Sequence, residues 1–268
     1  MISNRFKFLI IWVLLISSPL YAKDGFFDSK GTNIHYVDEG AGTPIVLIHG
    51  FSMDLKMWYD TGIIQKLAKN HRVIALDCRG HGKSDKPQNP SDYGPKVGED
   101  VVRLLDHLKI EKTHLVGYSM GAFVVGRLLV SHPERVMTAT LGSGYFPVKN
   151  KEEEAYAEEM ALTMEERAQK KNERTELLAL AAVARGWKYD AVTDQQVAAI
   201  TVPVQAVFGS EERNDFFESQ KARLELPKSS LPIIIVEGAD HDSEKAAVLR
   251  PEFLQAVKNI IRLKESSK

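Results

Sequence analysis

The 268-residue chain has a single cysteine, Cys78, so no disulfide can form within it. It has no surplus of one charge: 35 basic residues stand against 36 acidic ones, a formal net charge of −1. A nucleic-acid partner calls for a basic excess that neutralises phosphates, so none is expected. Metal-ligand spacings, a phosphate-cradling glycine loop and a dinucleotide fingerprint are all missing from the sequence. Neither a metal nor a cofactor is therefore expected. Internal repeats and low-complexity tracts are missing too.

The one long apolar run lies at the start. Arg5 and Lys7 precede an apolar stretch at 8–16, and a helix-breaking Pro19 and the small Ala22 follow. A basic region, a short apolar region and a small residue are the parts of a secretory signal peptide, which predicts cleavage after Ala22 and a periplasmic or secreted protein. The run falls short of the ~20 residues that span a bilayer, so the mature chain is expected to hold no membrane span. No cysteine follows it to carry a lipid anchor. Cys78, at the end of an apolar run, reads as a small buried residue rather than a reactive thiol.

What remains, residues 23–268, suits one large domain with a full core: 44% of the chain is hydrophobic and 26% charged. Residues 33–38 alternate apolar and polar side chains, as a half-exposed strand does. Runs at 44–48, 72–76, 113–116, 136–141, 204–208 and 233–236 read as strands, most of them apolar throughout and so buried on both faces. Apolar residues recur at helical spacing over 57–69, 97–108, 120–131, 216–224 and 244–263. Strands alternating with helices predict an α/β fold, a mostly parallel central sheet covered by helices, with functional residues beyond the carboxyl ends of the strands. Residues 149–189 carry no strand signal. A helical lid insertion is expected over about 145–190, with the acidic run Glu152–Glu154 a solvated helix face.

Gly117-Tyr118-Ser119-Met120-Gly121 lies between a β-prone run and a helix. A strand turning sharply into a helix pushes its corner residue to positive φ and requires small neighbours, which Gly117 and Gly121 supply. Ser119 would then stand clear of the backbone at a helix N-terminus, where the dipole favours developing negative charge. A serine nucleophile needs an imidazole base, best oriented by a carboxylate. Of the eight histidines, His241 follows the 233–236 run through a turn that opens toward the carboxyl edge. Glu211, Glu212 and Asp215 follow the 204–208 run and supply the candidate acids; Asp240, next to His241 in sequence, is badly placed to reach its ring. Oxyanion donors are expected from the N–H of Met120 and from that of Phe51, in the His49-Gly50-Phe51 loop after 44–48.

These features together resemble the α/β-hydrolase superfamily. His49-Gly50-Phe51, the turn Asp77-Cys78-Arg79-Gly80-His81-Gly82-Lys83-Ser84-Asp85, the elbow at 117–121 and Gly238-Ala239-Asp240-His241 match the family's motifs in their order, over roughly residues 25–263. The resemblance implies the catalytic order serine, acid, histidine, hence Ser119, the 209–215 loop and His241. Relatives usually carry aspartate three residues after the strand-ending glycine. Here that position is Glu212, which becomes the favoured acid, with Asp215 the alternative. The 77–85 turn is structural in the family. Haloalkane dehalogenases and most epoxide hydrolases of the superfamily use an aspartate at the elbow, so Ser119 implies acyl transfer: a small-molecule carboxylic ester cleaved through an acyl-enzyme. The same machinery would serve a thioesterase, lactonase, aminopeptidase, C–C hydrolase or haloperoxidase, and a non-catalytic binding member of the fold is the alternative of another class.

Overall fold

The structure is a computed structural model that describes residues 23–170, 174–212 and 215–266. The expected signal segment, 1–22, lies outside the described residues. Eight strands form one sheet: β1 (Lys23–Asp28), β2 (Asn33–Gly40), β3 (Pro44–Ile48), β4 (Arg72–Leu76), β5 (Thr113–Tyr118), β6 (Val136–Gly142), β7 (Val204–Gly209) and β8 (Ile234–Val236). Their order is β1-β2-β4-β3-β5-β6-β7-β8. The β1–β2 and β2–β4 pairs are antiparallel, and every pair from β4 onward is parallel. The mostly parallel sheet read from the sequence is the one observed.

The helices are α1 (Lys56–Asp60), α2 (Ile63–Leu67), α3 (Pro95–His107), α4 (Met120–Ser131), α5 (Lys151–Lys170), α6 (Arg174–Gly186), α7 (Asp194–Ala198), α8 (Asp215–Leu224) and α9 (Pro251–Glu265). One buried apolar layer joins α3, α4 and α8 to the sheet, and a second joins α1, α2 and α9 to its other face. Between β6 and β7, α5 and α6 pack on each other through Ala161, Met164, Leu177, Leu180 and Ala184. Among the described residues no helix is long and apolar enough to cross a membrane.

Four elements differ from the sequence reading, one of them α7, which follows the expected lid and was not foreseen. The helix expected over 57–69 is two short helices, because Gly62 between them adopts φ 67°. The last helix starts at Pro251, not 244; proline suits a first helical position, and 244–250 contain only a short 3₁₀ turn. Strand β1 has little strand propensity of its own and forms by pairing with β2, where Phe27 faces Ile34 and is buried.

Sheet order positions the site. The chain leaves β3 for β4 on one side, then returns across β3 to β5 on the other, so the loops after β3 and β5 diverge and leave a crevice between them. The register sets Ile48 beside Gly117, Tyr118 beside Gly142, Gly142 beside Val207 and Gly209 beside Val236. Five consecutive strand ends thereby bring residues 49–51, 119, 143, 210–212 and 237–241 to one edge.

That edge tolerates no added volume at Gly121, where a Cβ would lie 2.0 Å from the Ile48 carbonyl oxygen. Gly121→Ala is expected to destabilise the fold by more than about 3 kcal/mol, since backbone must shift. Gly98, inside α3, has open space up to an ordinary contact of 3.5 Å with Leu128. Gly98→Ala should stabilise by about 0.5–1 kcal/mol. Urea midpoints of the two variants check both signs.

Candidate active site

Ser119 sits at the corner between β5 and α4 with φ 53° and ψ −117°, a conformation costly for a residue with a side chain. Two contacts hold it there. Its N–H donates to the Gly142 carbonyl at 2.8 Å, and its own carbonyl accepts from Ala122 N–H at 2.9 Å. A side chain at Gly117 would strike the Gly121 carbonyl at 2.2 Å, so both elbow glycines are fixed by close backbone approach. The hydroxyl is left free of a helix-capping role.

The Ser119 hydroxyl lies 2.9 Å from His241 Nε2, and His241 Nδ1 lies 2.9 Å from Glu212 Oε2. An ionised carboxylate only accepts, so Nδ1 carries the ring proton and Nε2 is left to accept from the serine. Glu212 follows β7 in a 3₁₀ turn, Ser210–Glu212, that folds its carboxylate back over the strand end. Its Oε1 accepts from Gly209 N–H at 2.6 Å and from the Ser143 hydroxyl at 2.7 Å. The Glu212 side chain is 7% exposed and that of His241 46%, so the carboxylate is sheltered while the imidazole faces the open side. The Tyr118 hydroxyl donates to the His241 carbonyl, and Gly238 N–H donates to Ser210 Oγ at 2.9 Å, so the histidine loop is tied to both β5 and the acid loop.

Asp240 turns away, bonding the Ser243 hydroxyl and its N–H, and Glu211 is exposed. Asp215 opens α8, and its side chain lies outside the described residues. In the 77–85 turn, Arg79 grips the buried Asp100 through two bonds of 2.6 Å and Asp85 accepts from Asn33 N–H at 2.7 Å, contacts that bind the turn to α3 and β2. Burial pushes the His81 imidazole down to about 3, so it stays neutral.

On the other flank, a Cβ on Gly50 would lie 3.4 Å from the Ser119 Cβ. The Gly50 carbonyl accepts from His49 Nδ1 at 2.7 Å and from Met53 N–H at 3.2 Å. Across a trans peptide the N–H points opposite to the carbonyl, so Phe51 N–H faces away from those donors. Burial lowers the His49 imidazole and keeps it neutral, and its Nε2 accepts from Cys78 N–H at 3.0 Å. Among the described residues no acceptor takes the N–H of Phe51 or Met120. Ser143 and His49 were not foreseen in these supporting roles. Ser143 carried one usable signal, its position at the end of the strand after the elbow helix.

A family model for the α/β hydrolase fold matches residues 43–248. The chain belongs to the α/β-hydrolase family. It is similar to a 2-hydroxymuconate semialdehyde hydrolase of a Pseudomonas species, 40% identical over 127 residues, which are 47% of this chain and 44% of that protein. It is similar likewise to a non-heme chloroperoxidase of Streptomyces lividans, 37% identical over 123 residues, 45% of this chain and 44% of that protein. The chain spans less than half the length of the curated relatives it matches. Its fold is that of a carboxylesterase of the thaumarchaeon Nitrososphaera gargenis, with a TM-score of 0.73 at 23% identity over 91% of this chain and 100% of that one. An enol-lactonase of Burkholderia xenovorans matches with a TM-score of 0.69 at 21% identity, over 89% of this chain and 100% of that one.

Beside the elbow, the apolar side chains of the lid region have different surroundings. Met164, Leu177 and Leu180 pack between α5 and α6, Leu162 is exposed, and Trp187, packed against the same cluster, also meets the rings of Phe51 at 5.2 Å and Phe123 at 6.4 Å. Trp187, Phe123 and Tyr145 wall a cleft of about 530 Å³, open to solvent, whose lining includes Asp190. Asp190 is buried, 7% exposed, and its Oδ1 has no hydrogen-bond partner; the Arg127 Nε stands 3.4 Å away. Burial pushes its carboxyl up to about 7 against the pull of Arg127. A carboxyl raised in the fold is bound more tightly by its proton there than in the unfolded chain. Its contribution is present below pH 4 and lost as pH rises to about 7. Asp190→Asn does not titrate, so it should stabilise the protein at pH 8 by about 2 kcal/mol, a gain that fades toward pH 4. Thermal melts of both proteins across that range measure it; a constant difference would contradict the assignment.

Proposed function

We propose that the protein is a serine hydrolase of carboxylic esters that works through an acyl-enzyme. The observation that carries this reading is the unbroken chain of hydrogen bonds from Ser119 through His241 to Glu212, at 2.9 Å and 2.9 Å. His241 Nε2 takes the serine proton as Oγ attacks the ester carbonyl, and the imidazolium that forms is held by Glu212. The oxyanion accepts from the N–H groups of Phe51 and Met120, the second also at the positive end of α4. On collapse His241 returns the proton to the departing alcohol. Water, activated by the same imidazole, then attacks the acyl-enzyme and frees the acid. The names of two relatives, a C–C hydrolase and a chloroperoxidase, indicate other outcomes that the same groups could support.

A fluorophosphonate probe should label the protein, and Ser119→Ala should abolish labelling; folded protein that resists the probe would refute the reading. A series of p-nitrophenyl esters of rising chain length, run beside thioester and aminoacyl substrates, fixes the bond cleaved. On the best ester Glu212→Gln should lower kcat about a hundredfold or more, because the ring loses its anionic anchor. Ser143→Ala should cost about tenfold or less, since Gly209 N–H still holds the carboxylate. Asp215→Asn should match the parent, and unchanged turnover in Glu212→Gln would displace Glu212 from its role. The basic-apolar leader adds the proposal that the chain is exported and cut after Ala22. N-terminal sequencing of secreted material should then begin at Lys23.

A further inference from the structure

Strand order sets Ser119 between two flanks. His241 reaches it from the loop after β8, whereas Phe51 follows β3, on the opposite side of β5. A tetrahedral adduct at Ser119 carries three substituents besides Oγ. Its oxyanion faces the N–H groups of Phe51 and Met120, and the departing oxygen must meet His241 Nε2 to take its proton. The acyl chain takes the direction that remains, away from His241 and over the first turn of α4.

Trp187 stands across that direction. Its ring meets Phe51 at 5.2 Å and 71° and Phe123 at 6.4 Å and 79°, edge-on contacts that join the two flanks of the crevice. The Phe51 ring is also backed by the buried His81 ring at 5.9 Å, which hinders it from swinging aside. The Trp187 turn is fixed as well. A Cβ on Gly186 would lie 2.5 Å from Tyr93 Cβ, and the Trp187 carbonyl accepts from Asp190 N–H at 2.9 Å. A small, mostly apolar space bordered by Met120, Val97, Val124 and Val183 is closed on one side by the indole. Phe123 follows Met120 by about 4.5 Å of helix rise. About four chain carbons cover that distance. The wall is therefore rigid and near the reacting carbon.

Resting on the ester-hydrolase reading, we infer that Trp187 sets the acyl-chain limit and confines substrates to esters of short aliphatic acids, of about four carbons or fewer. An open apolar site would do the opposite, since each methylene taken in adds roughly fourfold to binding. Alkylboronic acids test the wall at Ser119 without turnover. Oγ adds to the trigonal boron, its proton passes to His241, and the tetrahedral anion holds its alkyl chain where the acyl chain would lie. By calorimetry, butylboronic acid should bind the parent about tenfold or more tightly than octylboronic acid. Trp187→Ala should cut that preference to about twofold or less or reverse it, and Trp187→Phe, with a smaller ring, should fall between. Octylboronic acid binding the parent as tightly as butylboronic acid, a preference undiminished in Trp187→Ala, or no binding of either acid would each overturn the inference. The comparison in the parent needs no variant, so misfolding of Trp187→Ala leaves the inference open to refutation. Boronic acids that bind while no ester is cleaved would sink the ester reading alone. Esters cleaved alongside equal boronic affinities would sink the chain limit alone.

Discussion

The backbone of α4 lies against the end of β3 so closely that nothing larger than hydrogen fits at Gly121, where the Ile48 carbonyl stands in the way of any side chain. Most of the site depends on this approach. It draws the first turn of the helix into the crevice between the loops after β3 and β5. Ser119 is thereby forced to positive φ, with its hydroxyl away from the helix axis and open to His241. The same approach brings Gly50 against the Ser119 Cβ, so the loop that carries Phe51 N–H is set by the packing of the nucleophile turn itself. Strain at one residue is thus spread over a backbone contact that the rest of the sheet holds shut.

The acid side is built on a different principle. Glutamate has one more methylene than aspartate, and a longer side chain has more ways to miss. Here the 3₁₀ turn after β7 shortens the reach, and Gly209 N–H and the Ser143 hydroxyl fasten one carboxylate oxygen so that the other meets the imidazole. Three strand ends therefore share the positioning of a single carboxylate: β6 through Ser143, β7 through Gly209 and β8 through the loop that carries His241. The shelter of Glu212 and the openness of His241 fit their proposed tasks, since an anion that orients needs fixed donors and a base must meet substrate and water.

How much of this was legible in the sequence follows from what each signal depends on. Strands buried on both faces betray themselves as unbroken apolar runs, so β3, β4, β5 and β7 were readable, and with them the parallel sheet. The glycine pair around Ser119 was readable because its cause is local, a tight turn within five residues. Strand β1 was not, because its stability comes from pairing with β2 rather than from its own residues. The break at Gly62 was hidden by apolar spacing that continues across it. Glu212 was singled out by position after a strand-ending glycine, a rule of spacing. Ser143 and His49 act through registers between strands far apart in sequence, and no local pattern records such a register. Asp190 belongs to no motif, since its burial beside Arg127 comes from packing between segments far apart in sequence.

The chain between α6 and α7 runs over the core as a strap: Val192 N–H donates to the Pro147 carbonyl, and Arg223 donates to the Val192 carbonyl and to Asp194. The strap is well fastened without Asp190, whose contact with Arg127 is long and leaves Oδ1 unbonded. Apolar packing or an amide at position 190 would serve the strap as well or better, because neither carries a charge into a buried place. A carboxylate there therefore works against the fold at neutral pH while adding little to the fastening.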